Sequence, residues 1–166
     1  NHIRIPSDKF SEQFQKLEFL CADSNILMNY REDLLRTLRE IWICYDQGCY
    51  KATIALCVQI IELCFVEFLV QQEVECGKNA SMDSLTKLIK DLANVKKINT
   101  RMIDTIEIMS KYRHLITNIK VARSFKANSE NITLPSKQAA KRIIKATHLL
   151  VEDNLSLFLE PYYDDA

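Results

Sequence analysis

Residues 52–70 read ATIALCVQIIELCFVEFLV, and this stretch decides the fold. At 100° per residue its apolar side chains cover every side of a helix, which is typical of a helix surrounded by others. Its polar members are Gln59, Glu62 and Glu67. Each central charge costs about 2.5–3.5 kcal/mol in a membrane, and basic flanking residues are few. The stretch therefore predicts a buried core helix over roughly Gly48 to Gln72 and no membrane span.

The composition agrees with a helical protein. The chain has 166 residues, of which 48% are apolar and 27% charged, so one domain over 1–166 with one core is predicted. It holds two glycines and three prolines. Sheet proteins need many turns built from those residues, so their scarcity favours long helices.

Two helices are predicted before a corner at Gly48. The first lies in the N-terminal 1–24 and begins at Ser7 or Asp8. The second starts near Asp23–Asn25. The apolar stripe of the first helix consists of Phe10, Phe14, Leu17 and Cys21.

Three further helices are predicted after a loop at 77–80. Ser81 is an N-cap for a helix through about Ala93, Asn99 or Thr100 opens the next, and Ser136 caps the last, which extends through about Leu159. Residues 126–135 read as an exposed loop. The fold class is therefore all-α, an up-and-down helical bundle of about five or six helices.

The thiols and histidines predict no metal site and no cofactor. The six cysteines form no Cys-x-x-Cys pair, and the three histidines (2, 114 and 148) have no zinc-like spacing with acids or thiols. Glycine-rich phosphate loops are absent as well. Free buried thiols fit best, which favours a reducing, cytoplasmic compartment.

Charge is unevenly distributed although its net value is zero. Residues 1–76 hold 7 Lys/Arg against 12 Asp/Glu, whereas residues 77–150 hold 15 against 5. The basic segment is interpreted either as solvated helix faces or as a surface for nucleic acid. Its candidate nucleic-acid-binding residues are Lys96, Lys97, Arg101, Lys120, Arg123, Lys126, Lys137, Lys141, Arg142 and Lys145.

Glu62 is the single charged residue between Ala52 and Val66, so it is expected to be deep in the core and partly buried. A buried carboxylate must be neutral or paired. Arg113 lies within about 60° of the apolar stripe formed by Met109 and Ile116, and its planar guanidinium suits a carboxylate. A structural ion pair between Glu62 and Arg113 is predicted, the alternative being that Arg113 reaches solvent.

Several spaced residues resemble the HEPN superfamily of helical domains. The resemblance covers residues 25–158 and leaves 1–24 as an added helix. The matching features are Tyr50-x-Ala52 before the helix carrying Glu62, Leu85-x-x-Leu88-Ile89, the run Tyr112-Arg113-His114-Leu115-Ile116-Thr117-Asn118, and Ser136-x-x-Ala139.

The resemblance implies a helical bundle, commonly dimeric, and in many members a metal-independent ribonuclease. The family's motif is an arginine, then a polar residue, then a histidine four to six residues after the arginine. It places Arg113 at the arginine and His114 at the polar position, but Asn118 stands where the histidine should be. Asparagine does not exchange protons near neutral pH, so acid–base cleavage of RNA loses its main agent.

Arg142 and His148 also have the arginine-to-histidine spacing of the family's motif, but they are not expected to form that motif. Six residues rotate a helix by 600°, which leaves the two side chains about 120° apart. His148 falls on a semi-buried face and is interpreted as a packed structural histidine.

The leading hypothesis is a non-catalytic or weakly active HEPN-like domain that forms a homodimer and binds a partner, with RNA or another nucleic acid as the first candidate. One alternative is a toxin-like ribonuclease using Arg113, His114, Asn118 and Glu62. The other is a structural or regulatory module that binds a protein partner.

Overall fold

The computed structural model describes residues 28–77, 80–112 and 135–153, with the backbone alone for residues 28–32. These residues form the five helices of an all-α bundle, and none of them lies in a strand. The helices are α1 (Met28–Asp46), α2 (Tyr50–Gln71), α3 (Met82–Val95), α4 (Thr100–Tyr112) and α5 (Lys137–Asp153). The predicted N-terminal helix in 1–24 and the end of the last helix near Leu159 lie outside the described residues.

The predicted corner at Gly48 joins α1 to α2. Gly48 has a φ of +77°, a left-handed conformation that glycine adopts without a steric penalty. The Cys49 N–H donates to the Cys44 carbonyl at 2.8 Å, and the Gly48 N–H donates to the Tyr45 carbonyl at 3.1 Å. This pair of bonds is the Schellman motif, which satisfies carbonyls left free at the end of α1.

The same motif ends α2, but without a glycine. The Val74 N–H donates to the Leu69 carbonyl at 2.9 Å, and the Glu73 N–H donates to the Val70 carbonyl at 3.0 Å. Glu73 occupies the left-handed position with a φ of +58°. A residue with a Cβ is strained there, so this turn has a cost that the turn at Gly48 does not have.

Helix α2 is the centre of the bundle and packs against α1, α3 and α5. It is long and apolar enough to cross a membrane by length and composition, and half of its most apolar window is buried inside the fold. Its buried residues are Thr53, Ile54, Cys57, Val58, Ile60, Ile61, Cys64, Phe65 and Leu69.

The expectation that α2 is enclosed on all sides is wrong. Ala52, Ala55 and Gln59 are exposed, and Val70 retains 44% of its surface. An apolar composition does not show which side of a helix its neighbours leave open, because that depends on where the neighbours pack.

The predicted N-caps of the later helices are confirmed. The Ser81 hydroxyl accepts the Ser84 N–H at 3.2 Å, and the Ser136 hydroxyl accepts the Ala139 N–H at 3.1 Å. The Asn99 side chain accepts the Arg101 N–H at 2.8 Å at the start of α4. These side chains satisfy N–H groups that have no partner within the helix.

One hydrophobic core includes residues from all five helices. Helix α5 packs against α2 and α4, and it also contacts α1. Its inward side chains include the predicted Ile143, Ile144, Leu150 and Val151. Helix α3 lies against α2 through Leu85 and Ile89. A groove remains between α3 and α4, with α2 beneath it.

Candidate functional site

The resemblance to HEPN domains centres on Arg113, His114 and Asn118, and these three residues lie outside the described part of the chain. Tyr112, the last residue of α4, is buried beside that motif. Of the proposed catalytic set, Glu62 alone can be placed.

Glu62 lies in the fourth turn of α2 and is half-buried. Its partial burial is confirmed, but the expectation of a deep acid is wrong, because the side chain lines the groove between α3 and α4. Burial raises the pKa of the Glu62 carboxyl above its usual range. Within residues 28–77, 80–112 and 135–153, no basic side chain forms an ion pair with it.

The groove has a volume of about 590 Å³. Val58, Ile106 and Met109 supply apolar lining, and Ser110 lies beside them. The predicted partner Arg113 follows Ser110 by three positions in the sequence. The structure therefore brings Glu62 and the end of α4 to the same groove, which is the condition that an ion pair with Arg113 requires.

Two lysines of α3 also line this groove, and the sequence did not identify them as part of a site. Lys87 and Lys90 accompany Asp83 and Asp91 along one side of it. The signal was present in the three- and four-residue spacing of these charges, which places them on one face of α3. The spacing alone does not show that this face borders a groove, because the groove exists only where α4 packs beside α3.

Four of the predicted nucleic-acid-binding residues lie together on α5. Lys137, Lys141, Arg142 and Lys145 are all exposed, and we call them the α5 basic face. Lys137, Lys141 and Lys145 follow one another at four-residue intervals, so successive side chains are about 6 Å apart along the axis. No acidic residue occurs in α5 before Glu152.

Lys96, Lys97 and Arg101 do not join the α5 basic face. Arg101 Nε donates to Asp153 Oδ2 at 2.8 Å, at the opposite end of α5, about 24 Å along the axis from Lys137. Lys96 Nζ contacts Gln72 Oε1 at the end of α2. The predicted basic surface is therefore divided, and Asp153 offsets the Arg101 charge. The remaining three candidates, Lys120, Arg123 and Lys126, lie outside the described residues.

His148 is fully buried in α5, as the interpretation of a structural histidine requires. Burial lowers its pKa to about 4, against an opposing effect of Glu152. Arg142 is exposed on a different side of the same helix. The two residues do not form a common site, although their spacing in the sequence matches the family's motif.

The five described cysteines are free thiols. Cys57 and Cys64 are fully buried, and burial raises the pKa of the Cys57 thiol to about 12, while a side-chain hydrogen bond between Cys57 and Thr147 acts in the opposite direction. Among the residues that the structure describes, no three His, Cys, Asp or Glu side chains are grouped to hold a metal ion.

Comparison of the chain with protein families, curated proteins and solved structures gives no match.

Proposed function

We propose that this chain is a non-catalytic or weakly active HEPN-like domain that forms a homodimer and binds RNA. The observation that carries the proposal is the α5 basic face. The exposed side of α5 carries Lys137, Lys141 and Lys145 over about 12 Å of helix, with Arg142 about 60° farther around the axis, and the first three turns of α5 hold no acid. Evenly spaced cations of this kind suit a chain of phosphates.

Two features support the HEPN-like part of the proposal. The helix that carries Glu62 is central to an all-α bundle, and Glu62 faces the same groove as the end of α4, immediately before Arg113. An ion pair there would hold Arg113 as a positioning group. With Asn118 in place of the family's histidine, the pair serves the fold and RNA binding more readily than proton transfer.

The test is the salt dependence of binding to a labelled single-stranded RNA of mixed sequence. Four phosphate contacts predict that the logarithm of the binding constant falls with the logarithm of salt at a slope of about −3. Binding that stays constant from low to physiological salt would contradict the proposal.

Charge reversal locates the surface. The double variant Lys137→Glu and Lys145→Glu is expected to weaken binding by about tenfold or more and to flatten the salt slope. The matched control is Lys96→Glu with Lys97→Glu, which reverses two exposed lysines that do not join the α5 basic face. Equal losses in the two variants would show that binding depends on net charge alone, and the α5 basic face would be rejected.

The ribonuclease alternative is decided in the same reaction. RNA incubated with the native chain in chelator is expected to stay intact. Cleavage by the native chain that is lost in Arg113→Ala would establish the metal-independent ribonuclease instead.

A further inference from the structure

One side of α2 is uncharged and mostly apolar, and the other described residues leave much of it exposed. The residues are Ala52, Ala55, Gln59, Leu63, Val66 and Val70, which we call the α2 seam. At 100° per residue all six lie within about 40° of Gln59, along about 27 Å of helix. Ala52, Ala55, Gln59 and Val70 are exposed, and Leu63 and Val66 are half-buried. Repeats of three and four residues are the spacing by which two helices pack along a common line.

The seam is symmetric about Gln59. Ala52 and Val66 each lie seven residues from it, and Ala55 and Leu63 each lie four residues from it. In every pair the N-terminal member is small and the C-terminal member is large. Two antiparallel copies of α2 related by a two-fold axis at Gln59 therefore place each large side chain opposite a small one.

The shape of the surface agrees with this pairing. A hollow of about 610 Å³ is lined by Gly48, Cys49, Tyr50, Lys51, Ala52, Ala55 and Pro135. Gly48 and Val70 each lie eleven residues from Gln59. The partner's Val66 and the partner's Val70 thus fall over the hollow, where small residues leave room for them.

The polar groups agree as well. The Gln59 amide carries both donors and an acceptor, so two copies on the axis satisfy each other. Lys51 and Glu62 lie on the same edge of the seam, about 80° and 60° from Gln59. In the antiparallel pair Lys51 comes about 7.5 Å along the axis from the partner's Glu62, within reach of a lysine side chain. Lys51 therefore lies near the partner's edge that carries Glu62, whose side chain also lines the groove between α3 and α4.

We infer that the α2 seam is the surface through which two copies of this chain associate. A membrane is a poorer occupant, because Glu62 and Glu67 flank the seam and the opposite side of α2 is packed against other helices. The inference locates the homodimer of the proposed function without relying on RNA binding.

The seam predicts a reversible dimer. A strip about 27 Å long and about 10 Å wide presents roughly 270 Å². Standard interfaces bury about 800 Å² on each partner. The pair is therefore expected to be weak and to dissociate on dilution.

The first experiment is sedimentation velocity over a range of concentrations for the full chain and two variants. Gln59→Lys places two ammonium groups face to face and is expected to raise the dissociation constant about tenfold or more. Gln71→Lys is the matched control, because Gln71 is exposed on the same helix about 120° from the seam, and it is expected to leave the dimer intact. A native chain that stays monomeric up to about 100 μM would overturn the inference, as would equal effects of the two variants.

The second experiment tests the two-fold axis. Gln59→Cys is expected to form a disulfide-linked dimer under mild oxidation, whereas Gln71→Cys and the native chain, which carries the exposed Cys49, form far less. Equal cross-linking in all three overturns the axis.

Two further outcomes identify other occupants. One is that the native chain forms no dimer but floats with anionic vesicles, and that Gln59→Lys abolishes the flotation. This result would assign the seam to a membrane. The other is that the native chain forms no dimer, and that Gln59→Lys loses thermal stability equally at all protein concentrations. This result would show that another part of this chain covers the α2 seam. Both overturn the inference. RNA affinity, measured on the same variants, reports separately on the proposed function.

Discussion

The imidazole of His148 meets the indole of Trp42 edge to face, with 5.6 Å between ring centroids and 61° between ring planes. Both side chains are buried, and Tyr45 continues the cluster with its ring 5.9 Å from that of Trp42. The contact joins α1 to α5, although Trp42 and His148 are about a hundred residues apart along the chain. A charged imidazolium is unfavourable in this position, so His148 is neutral in the folded state.

The first prediction follows from that neutrality. The pKa of His148 is about 4 in the folded chain and near 6.5 when unfolded. As pH falls below 6.5, the unfolded chain takes up a proton that the folded chain does not, so stability is lost between pH 6.5 and 4. The loss from this group is about 3 kcal/mol by proton linkage. Urea unfolding at a series of pH values measures it.

His148→Phe is the matched variant, since phenylalanine retains a ring against Trp42 and does not titrate. The difference between native and variant unfolding free energies should change by about 3 kcal/mol across this pH window and be flat above pH 7. Parallel curves for the two proteins throughout would show that the pKa of His148 is the same in the folded and unfolded chain.

Local rules predicted the helices and several of their ends. Ser81, Asn99 and Ser136 cap helices because a short polar side chain reaches the free N–H groups of the first turn. Gly48 marks a corner because it tolerates a positive φ. Each of these signals lies within a few residues of the feature that it controls.

The turn at Glu73 shows where such rules stop. No glycine or asparagine marks this position in QQEVEC, yet Glu73 has a φ of +58°. Val74 is half-buried against the core, and its packing fixes the turn. Tertiary contact therefore sets a backbone conformation that the local sequence disfavours.

Glu73→Gly is accordingly predicted to stabilise the chain by about 1 kcal/mol, because glycine removes the steric cost of the left-handed conformation. Thermal or urea unfolding measures the gain. Glu75→Gly removes the same charge and adds the same freedom to the unfolded chain at a neighbouring exposed position, and it should give no gain. A gain of equal size at Glu75 would attribute the effect to charge.

The proposed Glu62–Arg113 pair predicts a change in one titration. With Arg113 present, its positive charge should hold the pKa of Glu62 below the value in Arg113→Met, where burial alone raises it above 4.5. Carboxyl carbon NMR reads this value directly. The variant should also lose about 1–3 kcal/mol at pH 7, a loss that shrinks as pH falls and Glu62 becomes protonated.

Arg142→Met is the control for that experiment, because Arg142 is exposed on α5. It should leave the Glu62 titration unchanged. If native and Arg113→Met proteins show the same Glu62 pKa, the pair does not form.

The thiols offer a fourth prediction. Cys49 is exposed, whereas Cys57 and Cys64 are fully buried and burial raises the pKa of both thiols. Alkylation of the native chain by iodoacetamide should modify Cys49 at least about a hundredfold faster than the buried pair, because the thiolate is the reactive form. Peptide mapping by mass spectrometry measures the rates. Labelling in urea should make them comparable, and similar rates in the native chain would contradict the burial.

The sequence predicted less of the candidate site than of the helices. The ten candidate cations share a charge, but their grouping depends on helix packing, which brings Arg101 to Asp153 and leaves Lys137 about 24 Å away. The sequence also did not predict which side of α2 is exposed, for a related reason. A helix that is apolar all round gives no sign of which side its neighbours leave open.

The packing of α2 against α5 also has a consequence for synthesis. Sixty-five residues separate Gln71 from Lys137. At translation rates of about 5–20 residues per second, α2 leaves the ribosome roughly 3–13 s before α5 begins to emerge. For that interval the most apolar segment of the nascent chain has α1, and then α3, as its available neighbours. The chain should therefore depend on chaperone holding during its own translation more than a bundle whose central helix comes last.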